Sequence, residues 1–86
     1  MWVLTKTEWP TLVNLAAISS VGYQQMVKYD PRTRVVATTW EQELPLAECA
    51  TAEQARALVR FLAGALAEGR DVLDLAAIDL DQLPAE

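Results

Sequence analysis

Eighty-six residues with a net charge of −5 describe one small domain. A chain this short buries too little surface to be comfortably stable alone, and usually needs a disulfide, a metal or a second copy. Cys49 is the single cysteine and there is no histidine. An intrachain disulfide, the Cys/His metal patterns and the Ser–His or Cys–His pairs are therefore excluded. No cofactor is expected: three glycines, Gly22, Gly64 and Gly69, form no phosphate loop. What remains is self-association or a compact, well-packed core, and 52% apolar residues suit a homodimer. The acidic total opposes nucleic-acid binding, which draws on phosphate contacts. No apolar run is long enough for a bilayer, and the start MWVLTKTEW lacks the pattern of a signal peptide. With a lone thiol, the expected location is cytoplasmic. The Ala, Leu and Arg usage points to a bacterial source. The charge is uneven. Residues 1–40 carry four basic and two acidic side chains, residues 41–86 three basic and ten acidic ones.

In chain order, WVLTK (2–6) reads as a short strand. Glu8-Trp9-Pro10 breaks it, because proline removes a ladder donor and fixes the backbone. Leu12 and Val13 resume an extended pattern. Residues 20–29 and 33–41 form a hairpin: Val21, Tyr23, Val27 and Tyr29 share a face, and Asp30-Pro31-Arg32-Thr33 suits a type I turn. Leu44–Leu46 adds a short edge strand marked by Pro45.

The period then changes from two to 3.6. Thr51-Ala52-Glu53-Gln54 fits a capping box. Leu58, Val59, Leu62, Ala65 and Leu66 form an apolar stripe, and Gly69 suits a left-handed C-cap. This predicts a helix over 52–67. DVLDLAAIDLDQLPAE follows, with Asp74 capping a short helix over 75–83 and Pro84 beyond it.

Residues 12–18, LVNLAAI, and 72–78, VLDLAAI, match at four positions. Asn14 and Asp74 share a slot and a chemistry: a short side chain that bonds backbone amides ahead of it. The pair predicts an extended dipeptide, a cap and one helical turn, twice, without duplication of a domain.

The expected fold is α+β: a small antiparallel β-sheet of about four strands, one long amphipathic helix packed on a face, and a short C-terminal helix. The single domain 1–86 comprises a β-meander (2–48), the main helix (51–68) and an acidic–apolar segment (70–86). LVNLAAISSV, a hairpin and ATAEQARALVRFLAGAL in this order resemble a group of short bacterial and phage proteins. Those proteins pair a phrase like "vNLxxIxxI" with a closing amphipathic helix. The resemblance rests on Asn14, Leu15, Ile18 and Val21, covers residues 2–67, and implies a small sheet with one helix and no activity.

The expected function is that of a non-enzymatic protein-interaction module that self-associates and binds another protein in turn. Tryptophan dominates interface hot spots, which makes Trp9 and Trp40 contact candidates. Trp9, beside Pro10, is the harder to bury. The acidic–apolar tail supplies Leu73, Leu75, Ile78 and Leu80 as groove-docking candidates. The alternative is a small ligand- or metal-binding or catalytic protein using Glu41 and Glu43, which at spacing two on a strand would share a face. A third is weak binding of single-stranded nucleic acid through an aromatic face beside Lys6, Lys28, Arg32 and Arg34. Ser19-Ser20 reads as strand-entry chemistry and Cys49 as a small buried apolar residue.

Overall fold

The computed structural model describes residues 1–83, apart from the side chain of Ala17. The protein is a small α+β domain. Among the described residues there are six strands in two three-stranded sheets, where the sequence suggested about four strands in one. β1 (Trp2–Leu4) lies between β2 (Leu12–Asn14), antiparallel to it, and β6 (Val72–Asp74), parallel to it. β4 (Thr33–Thr38) lies between β3 (Ser20–Gln25) and β5 (Glu43–Cys49), both antiparallel. The two sheets meet where the Lys6 amide donates to the Leu46 carbonyl at 2.8 Å.

That junction follows from a β-bulge. Val35 faces Ala47 but Val36 faces Pro45, so Leu46 is the extra residue. Its carbonyl is released from the ladder to β4, and its side chain is fully buried. Pro45 sits on the edge strand, as its missing N–H requires.

α1 (Ala52–Ala67) has the bounds its pattern predicts. Thr51 Oγ1 accepts from the Gln54 amide at 3.2 Å. The other half of the capping box is displaced by one residue: Gln54 Oε1 accepts from the Ala50 amide at 2.9 Å, not from Thr51. At the far end the Gly69 amide donates to the Leu66 carbonyl and the Arg70 amide to the Ala65 carbonyl, with Gly69 at φ +74°. This is a Schellman stop, which needs the left-handed residue that glycine supplies. α1 lies across β3, β4 and β5. Its Ala55, Leu58, Leu62 and Ala65 enter a core shared with Val35, Ala37, Leu46 and Ala47. Each buried leucine contributes about 1.5–3 kcal/mol before entropy is counted.

The two heptapeptides hold equivalent places on either side of β1. Each gives a three-residue strand and then a single 3₁₀ turn, Leu15–Ala17 and Leu75–Ala77. Asn14 Oδ1 accepts from the Ala16 amide at 3.0 Å, and Asp74 Oδ1 from the Ala77 amide at 3.3 Å. Val13, Val3 and Leu73 form a buried row across the sheet, and Leu15 and Leu75 follow them inward. The shared capping chemistry thus accounts for the local resemblance. The shared task is to flank β1 and drive one leucine into the core.

Two local expectations are corrected. The β3–β4 turn lies at Val27–Asp30, where the Asp30 amide donates to the Val27 carbonyl and Tyr29 takes φ +69°. Asp30 then accepts from the Arg32 amide at 2.9 Å, a side-chain turn over Pro31. The C-terminal helix over 75–83 is instead β6 followed by two 3₁₀ turns, Leu75–Ala77 and Leu80–Gln82. Asp74 and Asp79 each cap their own turn, so the segment restarts rather than propagates. Pro84 lies outside the described residues.

Candidate interaction surface

The tail folds back onto its own domain through Leu83. Gln54 Nε2 donates to Asp81 Oδ1 at 2.6 Å, and Lys6 Nζ reaches the Ala76 carbonyl at 3.4 Å. Leu73 and Leu75 are therefore core residues, not docking residues: both are buried beneath the first sheet. Ile78 and Leu80 are half-buried and pack against the same core. The alternation of acids and leucines suits a strand and capped turns on a domain surface as well as a docking peptide, and here the first use prevails.

The two tryptophan candidates are both exposed, on different loops. Trp40 tips the β4–β5 turn at 88% exposure. Trp9 rides the β1–β2 loop at 79% exposure. It overhangs a cleft of about 330 Å³ bounded by Val13, Leu44 and Pro45, with Arg34, Glu8 and Glu48 in its walls. Trp2, Leu12 and Val72 all show on the outward face of the first sheet.

The carboxylate pair does not form as drawn. Glu41 lies in the turn before β5 and Glu43 opens the strand, so strand periodicity does not set them on one face. Glu43 instead accepts from Gln24 Nε2 at 3.2 Å. The basic residues of the nucleic-acid reading are dispersed. Lys6 joins the groove beside Asp79 and Asp81, Arg34 lies among Glu8 and Glu48, and Arg32 is held by Asp30 at 2.7 Å. Arg32, by hydrogen bond, also lowers the Asp30 carboxyl below its ordinary pKa.

Cys49 is buried against α1, and burial pushes its thiol pKa up. A folded-state pKa above the unfolded one favours folding below the unfolded thiol's pKa and loses that contribution as pH rises past it. The thiol is expected to resist alkylation by iodoacetamide at pH 8 until the chain unfolds. Labelling of the native protein at the rate of a free thiol would contradict its placement.

The least anticipated feature is an edge. β3 pairs with β4 alone among the described residues. The Met26 amide donates to the Arg32 carbonyl at 3.2 Å. Alternation along the ladder then points Gly22 and Gln24 at β4 and turns the backbone groups of Val21, Tyr23 and Gln25 outward. This strand, SVGYQQ, has no charge and no proline. The opposite edge, β5, has a proline, a bulge, two glutamates and the Lys6 bridge. Beside the open edge runs an apolar groove of about 300 Å³ between Ile18, Val21 and the Val59, Ala63 and Leu66 side of α1. Leu66 is 51% exposed there. The trace this edge leaves in the sequence is its lack of charge.

No helix among the described residues is long and apolar enough to cross a membrane. No protein-family model, curated protein or solved structure matches the chain.

Proposed function

We propose that this protein is a non-enzymatic interaction module that works as a homodimer, joined edge to edge through β3. The open, uncharged edge carries the reading. Sheet edges expose unpaired N–H and C=O groups, and proteins guard those they keep apart. β5 is guarded and β3 is not.

The occupant is a second copy for two reasons. An unpaired strand backbone is complemented by another strand. A strand without charge meets its own twin without repulsion. An antiparallel pairing about a twofold axis at Tyr23 uses Val21, Tyr23 and Gln25 of both copies and adds about six backbone hydrogen bonds. It joins two three-stranded sheets into one. It also brings the α1 faces of the two copies toward each other, with Arg56 beside Tyr23 and the half-buried Val59 and exposed Ala63 and Leu66 beside Val21. The lone buried thiol and the net acidic charge fit a cytoplasmic setting.

The register is open to a direct test. Directly opposed residues of a hydrogen-bonded antiparallel pair have Cα atoms about 5.5 Å apart, within the span of a disulfide. Tyr23→Cys is expected to form a disulfide-linked dimer under mild oxidation, while Trp40→Cys is not. Equal rates for the two variants would count against pairing at β3.

A further inference from the structure

The β1–β2 loop uses its hydrogen bonds to hold one aromatic ring in the open. The Trp9 carbonyl accepts from Thr7 Oγ1 and from Thr11 Oγ1, each at 3.0 Å. Thr5 Oγ1 accepts from the Thr11 amide at 2.8 Å, and the Thr5 amide donates to the Thr11 carbonyl at 2.9 Å. A ring left 79% exposed on so fixed a backbone is placed for contact, because its ordering precedes binding.

Beneath it Arg34 has an unmet need. Its Nε is shut off from solvent and has no hydrogen-bond acceptor. Glu48 approaches another guanidinium nitrogen at 4.0 Å, an ion pair too long to be a hydrogen bond. The rest of the cleft asks for a cation. Glu8 and Glu48 outnumber Arg34 in its walls, and the face of Trp9 attracts positive charge. The chain's net −5 adds to that attraction at longer range.

We infer that the Trp9 cleft docks a lysine- or arginine-bearing polypeptide segment of a partner protein. The cationic head lies against Trp9 near Glu8 and Glu48, and the aliphatic stem covers Leu44 and Pro45. The cleft volume of about 330 Å³ suits one side chain and a stretch of backbone. The site lies on the β5 side of the sheet, away from the free β3 edge. It extends the interaction-module reading but rests on a different face, so pairing at β3 and docking at Trp9 stand or fall separately.

The test is a ¹⁵N NMR titration of the full chain, read at the tryptophan indole N–H signals. The probe is acetyl-Gly-Leu-Arg-Leu-Gly-amide, with a twin carrying glutamate in place of arginine. The arginine peptide is expected to shift the Trp9 indole saturably, leave those of Trp2 and Trp40 in place, and bind about tenfold tighter than its twin. Trp9→Ala abolishes the saturable shifts of the Glu8, Leu44 and Glu48 backbone amides while the loop persists, since the threonines bond the backbone carbonyl and not the ring. Glu48→Gln weakens binding about threefold or more. Equal or tighter binding of the glutamate peptide would overturn the proposal in favour of a carboxylate site on Arg34. A Trp9 indole unmoved by the arginine peptide would overturn it outright.

Discussion

Tyr23→Pro is expected to leave the protein folded and monomeric, whereas Gly22→Pro, one residue away, is expected to unfold it. The contrast comes from the alternation of β3. The Tyr23 amide points off the sheet, so proline there removes no backbone hydrogen bond within the protomer, only the exposed 3.4 Å bond from Arg56 Nε to the Tyr23 hydroxyl, and edge strands accept proline in that orientation. In the proposed dimer the same amide sits on the twofold axis. Its loss deletes two bonds by symmetry and sets two pyrrolidine rings against each other. Gly22 faces Val36 within the ladder. There proline removes a ladder hydrogen bond and strands the Val36 carbonyl, at about 1–3 kcal/mol before the clash of its ring with the paired strand is counted. Crowding at the Cβ is not the cause, since a Cβ at Gly22 meets nothing within 4 Å. Gly22→Ala is therefore a fair control that stays folded. Circular dichroism and size-exclusion chromatography of the three variants read both effects. A folded, dimeric Tyr23→Pro would remove the edge from the account.

Leu62→Asp is expected to unfold the chain at 25 °C. Leu62 is 2% exposed between α1 and the second sheet. The substitution forfeits a buried leucine, leaves a cavity, and strands a carboxylate with no partner. Together these exceed about 4 kcal/mol. A domain of this size has a total stability near the low end of about 5–15 kcal/mol. Leu66→Asp, one turn on, is the informative comparison. Leu66 is half exposed beside the β3 edge. That variant is expected to melt nearly as the parent does and to associate less, because it places a charge in the apolar groove beside Val21 of the pairing edge. A cooperative, parent-like melt of Leu62→Asp would refute the packing of α1.

The sequence was most informative where chemistry is local. Thr51, the stripe through Leu58 and Leu62, and Gly69 bounded α1 correctly, because cap, period and stop each act within a few residues. Asn14 and Asp74 announced two capped turns for the same reason. Pro31 drew the hairpin turn too late in the chain. The left-handed residue is Tyr29, a type that seldom adopts that conformation and so gives no warning. Leu73 and Leu75 were misjudged because their burial depends on β6 pairing in parallel with β1, almost the whole chain away. The matched heptapeptides held a clue to that symmetry, since equal segments on either side of one strand bury equal residues. Trp9 was legible through Pro10, but the threonine clasp that fixes it was not. The open side of β3 was invisible for a deeper reason: which neighbour a strand lacks is a property of the whole sheet.

Sedimentation velocity of the unmodified chain, from about 10 to 500 μM, tests the central claim most directly, a window that brackets dimers of micromolar affinity. The account predicts a species of twice the 9.5 kDa chain mass, gaining population with concentration. A single 9.5 kDa species across the whole range would contradict it.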